Sequence, residues 1–135
     1  MTFFQTTLLS LFLFALSLPL TNTQAQDEAS KTPLHGVSYK KLGWEEGLFV
    51  HESKPYNGPS YEIYRKSGKV KMLAQFKGGK MHGVVLEFYE NGTLKALTTF
   101  KEGKRHGKNN YWNKEGVLEK ERVWENDELV DGEPD

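Results

Sequence analysis

From residue 59 onward, apolar and polar positions alternate over short runs. VVLEFY (84–89) and TLKALTTF (93–100) are two of them, and glycine-bearing stretches separate the runs. No stretch carries a 3.6-residue apolar stripe, so the pattern predicts strands rather than helices. The intervening stretches form two sets. KSG (66–68), ENG (90–92) and KEG (114–116) are one; KGG (77–79) and KEG (101–103) are the other. Glycine stands third in each, which predicts a three-residue hairpin loop: a type I turn followed by a left-handed residue. Glycine takes positive φ without a Cβ penalty.

Register tests this loop. A three-residue loop at 90–92 pairs Phe88 with Leu94, Leu86 with Ala96 and Val84 with Thr98, and sets Glu87 against Lys95. Apolar then meets apolar, and opposite charges meet on the other face, as cross-strand pairs favour. A two-residue Asn91-Gly92 loop would instead oppose Phe88 to Lys95.

The runs recur with one period. Tyr64, Phe88 and Trp112 stand 24 apart, as do Gly68, Gly92 and Gly116; Val70, Leu94 and Leu118; and Phe76, Phe100 and Trp124. Gly79, Gly103 and Asp127 continue it, and His82-Gly83 is echoed by His106-Gly107 and, in worn form, by Asp131-Gly132. A period of this length marks a repeat array. The expected fold is all-β: an antiparallel meander of tandem β-hairpins in an elongated single sheet. Phe76, Phe100 and Trp124 should share one face as a buried row. The glycine lost at Asp127 puts the last turn in question, and the acidic, proline-bearing end reads as a blunted edge.

Upstream, residues 34–58 hold Trp44, Phe49 and Tyr56, end in a Pro-Tyr-Asn-Gly turn and form a leading unit before the repeats of 59–135. Residues 26–33, QDEASKTP, read as a flexible leader. The run LLSLFLFALSLPL (8–20) is shorter than the ~20 residues of a membrane-spanning helix and fits a signal-peptide core. Thr23 and Ala25 are suitably small for a cut after Ala25, giving a signal peptide over 1–25 and no transmembrane segment after cleavage. The competing reading is an uncleaved anchor.

The stretches GLFVHESKPYNG and FYENGTLKALTTFKEGKRHG resemble the MORN-variant repeat of the bacterial YwqK-family antitoxin group, over about residues 44–124. The resemblance implies a β-hairpin array with an interaction or scaffold role. It carries over no catalytic residues, and export fits poorly with neutralising a cytoplasmic toxin.

Composition narrows the function classes. Eighteen basic and eighteen acidic residues balance, whereas nucleic-acid binders show a basic excess; no nucleic-acid partner is expected. With no cysteine, an exported chain has no disulfides and must rely on packing and sheet hydrogen bonds. His82 and His106 sit at equivalent repeat positions, two strands or roughly 10 Å apart, too far to share a zinc at ~2.1 Å per bond. No nucleophile elbow or phosphate-cradling glycine motif is present. No metal, cofactor or catalytic residue is expected, and the protein is read as a non-enzyme.

Charge is distributed unevenly. Six basic residues and no acid lie between Arg65 and His82, whereas nine acids lie between Glu115 and Asp135 against only Lys120 and Arg122. This polarity suggests docking on a charged protein partner or head-to-tail self-association. Lys66, Lys69 and Lys71 are the candidate contacts. Tyr61, Tyr89 and Tyr111 are candidates for stacking on the face opposite Phe100, which would make the protein an envelope glycan- or lipid-surface binder instead. The favoured expectation is an exported, periplasmic or extracellular bacterial scaffold module.

Overall fold

The computed structural model describes residues 35–133; the expected signal peptide and leader lie outside the described residues. Thirteen strands follow in chain order: β1 (Val37–Ser38), β2 (Gly43–Glu45), β3 (Leu48–His51), β4 (Lys54–Pro55), β5 (Gly58–Ile63), β6 (Val70–Lys77), β7 (Lys80–Met81), β8 (Gly83–Phe88), β9 (Leu94–Lys101), β10 (Lys104–Arg105), β11 (Gly107–Trp112), β12 (Leu118–Glu125) and β13 (Glu128–Asp131). A single 3₁₀ turn, Tyr39–Lys41, is the only helical element among the described residues.

Ten strands form one open sheet in the order β1-β5-β6-β8-β9-β11-β12-β13, with β7 beside β6 and β10 beside β9. All pairings in it are antiparallel except β1 on β5. The fold is therefore the expected meander of hairpins, β5–β6, β8–β9 and β11–β12. The leading unit adds a separate three-stranded sheet, β2-β3-β4.

The three-residue loop holds at two hairpins. The Tyr89 N–H donates to the Thr93 carbonyl and the Gly92 N–H to the Tyr89 carbonyl, both at 2.8 Å; Asn113, Val117 and Gly116 repeat this at 3.0 Å. In the first hairpin the loop has four residues, 65–68, closed by Tyr64 N–H to Lys69 and Gly68 N–H to Tyr64, both at 2.9 Å. That extra residue moves the alignment. Ile63, not Tyr64, pairs with Val70 as Phe88 pairs with Leu94 and Trp112 with Leu118. Tyr64 is thus the counterpart of Tyr89.

The second set of turns corrects the expectation. Lys77 pairs with Lys80, Lys101 with Lys104 and Glu125 with Glu128, leaving two-residue loops. Both loop residues have positive φ: Gly78-Gly79 at 58° and 75°, Glu102-Gly103 at 51° and 83°, Asn126-Asp127 at 52° and 72°. This is the type I′ turn, whose twist matches that of the flanking strands. Asp127 keeps the turn that its missing glycine put in question, because Asn and Asp tolerate the left-handed region.

Register beyond Phe88–Leu94 also differs from expectation. A bulge at Lys95 shifts the ladder by one, so Leu86 pairs with Leu97, Val84 with Thr99 and Glu87 with Ala96. The Glu87–Lys95 ion pair survives at 3.7 Å. The same irregularity recurs in all three hairpins. It lets apolar side chains collect on one face at one end of each hairpin and on the other face at the other end, because a bulge opposes two residues to one.

Two apolar clusters result. On the front face, Ala74, Phe76 and Val85 are buried, and Tyr39, Leu42, Phe49 and Tyr56 of the leading unit cover them together with Met81 and Phe100. Phe49 meets Phe76 edge-on at 5.0 Å. On the back face, Phe88 and Leu94 are buried beneath Val70, Leu73, Leu86 and Trp112.

The aromatic row takes a particular form. Phe76, Phe100 and Trp124 lie directly opposite Gly58, Gly83 and Gly107, so each ring faces no side chain from its paired position. Met81 pairs with Phe76 and Arg105 with Phe100. The Arg105 guanidinium in turn stacks 3.6 Å over the Trp124 ring. The row is interleaved rather than ring-on-ring. Phe76 and Trp124 are buried, whereas Phe100 is half-buried.

Candidate interaction surface

Strand order sets the charge polarity in space. The basic β5–β6 hairpin lies toward one end of the large sheet and the acidic β12–β13 pair forms the other. Lys66 stands in the four-residue loop and Lys69 at its close, both exposed. Lys71 differs from them: its Nζ lies 3.1 Å from the Glu62 carboxylate, which Lys40 also approaches at 3.8 Å. Its charge is matched within the fold, whereas Lys66 and Lys69 have no ion pair among the described residues.

The tyrosines do not make one platform. Tyr61 pairs with Leu73 on the back face. Tyr111 pairs with Ala96 and Lys120, which places it on the front face with Phe100, and the Arg122 guanidinium lies 5.7 Å from its ring. Tyr89 turns inward, its hydroxyl donating to the Trp112 carbonyl at 2.9 Å. The one-residue shift at each bulge produces this dispersal, which an uninterrupted alternation could not show.

The His-Gly pairs are structural joints. Between the Phe76–Met81 and Leu73–Leu86 pairs, the β7–β8 segment spends two more residues than β6; His82 and Gly83 absorb them. His82 N–H donates to Gln75 at 2.9 Å and His106 N–H to Thr99 at 2.8 Å. Gly83 and Gly107 follow at φ 80° and 102°. Among the described residues no group of three or more His, Cys, Asp or Glu side chains is placed to hold a metal ion.

A polar row replaces the apolar core toward the acidic end. Asn109 is fully buried beside buried Arg122. The Asn109 Oδ1 accepts the Thr99 N–H at 2.9 Å, and the Arg122 Nε donates to the Glu133 carbonyl at 2.8 Å. A small cleft lies among Lys108, Asn110, Glu121, Arg122, Val123 and Asp131, bridged by a 3.2 Å hydrogen bond from Asn110 to Glu121.

Three further features belong to this surface. Asp127 Oδ1 accepts both the backbone N–H and the Nε–H of Arg105 at 3.0 Å. The backbone bond is the largest cause of a carboxyl held below its usual range; the side-chain bond and the fields of Arg105 and Lys104 add to it. Trp44 is 62% exposed, its ring edge-on to Phe49 at 4.7 Å. The third feature is the charge of the residues flanking the type I′ turns, visible in the sequence as KGGK and KEGK. No family model, curated protein or solved structure matches the chain.

Proposed function

We propose that this protein is an exported bacterial envelope module, related to the MORN-variant repeats of the YwqK-like group, that binds another protein through its charged surface and performs no chemistry of its own. One observation carries the reading: an open array of hairpins separates a basic end, with exposed Lys66 and Lys69, from an acidic end bounded by β13. Such separation steers association and sets orientation.

Capture of a partner from the native cell envelope tests it. Lys66→Glu with Lys69→Glu should leave the thermal melt near wild type and abolish capture, and salt should weaken capture in the parent. Capture that survives both changes overturns the reading. Trp44 favours the second reading, a glycan-binding module, since an exposed aromatic face is suited to stacking. A glycan array on which Trp44→Ala abolishes binding would replace the first reading with the second.

A further inference from the structure

The type I′ turns line one rim of the large sheet. Each is flanked by a directly opposed pair of like charges: Lys77–Lys80, Lys101–Lys104 and Glu125–Glu128. All six side chains are exposed. Each follows or precedes the front-face row by one residue, so strand alternation puts all six on the back face. Neighbouring strands lie ~4.8 Å apart, so the flanking positions run as four positive charges followed by two negative ones, with the exposed acids Glu102 and Asp127 in the second and third turns between them.

Like charges directly opposite destabilise a hairpin, yet the arrangement occurs three times. No salt bridge within the described residues relieves any of the six, although Arg105–Asp127 is stitched across the boundary between the two signs at 3.0 Å. The central four, Lys101, Lys104, Glu125 and Glu128, have a further property. A two-fold rotation about the midpoint between Lys104 and Glu125 turns plus-plus-minus-minus into minus-minus-plus-plus.

We infer that this rim is a docking surface for a second copy of the chain, forming a two-fold, rim-to-rim dimer. Lys101 meets Glu128 of the other copy and Lys104 meets its Glu125, each contact occurring twice, as an isologous interface requires. Lys77 and Lys80 lie beyond the overlap and stay solvated. The pairing relieves two unfavourable cross-strand contacts in each copy. It deepens the interaction-module reading and rests on it, but it uses a different surface from Lys66 and Lys69, so either can fail without the other.

The association is weak and electrostatic. It should be present at low ionic strength and lost at 1 M salt, where screening shortens to ~3 Å from ~10 Å at 0.1 M. Sedimentation velocity of the purified protein, wild type and variants, gives the test. K101E with K104E makes the four flanking positions all acidic, and E125K with E128K makes them all basic; each variant alone should be monomeric at low salt. Mixed together, the two should form a heterodimer, and the chain carrying all four changes should dimerise as wild type does. The changes exchange one like-charged exposed pair for another, so melts should stay close to wild type. A wild type that is monomeric at low salt, a dimer that persists in both pair variants, or a mixture that fails to associate overturns the proposal.

Discussion

The Tyr64 hydroxyl donates to the backbone carbonyl of Phe88, one hairpin away, at 2.8 Å. Tyr89 does the same to Trp112 at 2.9 Å. At the third hairpin Asn113 takes the place of tyrosine and turns its Oδ1 back onto the N–H groups of Glu115 and Val117. Each tyrosine thus ties the loop end of its own hairpin to the next. A half-buried neutral hydrogen bond contributes ~0.5–1.5 kcal/mol. Tyr64→Phe and Tyr89→Phe should each lower unfolding free energy by about 1 kcal/mol in urea melts. Tyr61→Phe, which removes a hydroxyl with no such bond among the described residues, should change it little.

Phe76 and Phe100 occupy the same repeat position but differ in environment. Phe76 is 2% exposed and ringed by Tyr39, Phe49 and Tyr56, whereas Phe100 is only half-buried. Truncating a buried phenylalanine costs ~3–5 kcal/mol. Phe76→Ala should fall in that range and Phe100→Ala clearly below it. Lys95→Ala, which removes only an exposed ion pair to Glu87, should cost under about 1 kcal/mol. Equal losses at the two phenylalanines in urea melts would contradict the packing described.

Asp127 links the third hairpin turn to the second. Hydrogen bonds from Arg105 favour its ionised form and lower its folded-state pKa. The unfolded chain therefore binds this proton more readily than the folded one. Its contribution is fully present above the unfolded carboxylate pKa and is lost as pH falls through the lower folded value. The carboxylate is exposed, so the effect is modest. Thermal melts between about pH 5 and pH 2 should show a shallower acid loss of stability in Asp127→Asn than in wild type; identical slopes would remove Asp127 from the acid response.

The fold was legible because period and alternation are properties of many residues at once. Fine register was not, because it depends on single insertions. One extra loop residue before Gly68 makes Tyr64 a counterpart of Tyr89, and the bulge at Lys95 moves Ala96 from Leu86 to Glu87. These slips decide which face a side chain occupies, and they are why Tyr61 and Tyr111 stand on opposite sides. Lys71 looked free because Glu62 lies outside the basic stretch that drew notice; only strand pairing brings the two to 3.1 Å. The rim of like-charged pairs was written as KGGK and KEGK, but its meaning depends on a two-residue loop, which places the flanking charges directly opposite each other.

Gly79 and Gly103 allow one further comparison. Both are second residues of type I′ turns, with φ of 75° and 83°. Each donates its N–H across to the preceding unit, to Tyr56 at 2.9 Å and Met81 at 2.8 Å. A Cβ on Gly103 would make ordinary contact with Lys80 at 3.6 Å, whereas one on Gly79 would press on the Phe49 carbonyl oxygen at 2.8 Å and Leu48 Cβ at 2.9 Å. The Phe49 N–H also donates to the Gly79 carbonyl at 2.8 Å, so the close approach is where the small sheet docks on the large one. Gly103→Ala should cost only the left-handed backbone term, ~1–2 kcal/mol. Gly79→Ala should cost clearly more, because backbone rather than a flexible side chain must move. Amide exchange at Phe49 separates the two causes: it should quicken in Gly79→Ala, as the leading sheet lifts from the turn, and stay protected in Gly103→Ala. Equal stability losses with an unchanged Phe49 amide would mean that the small sheet is not held at this turn.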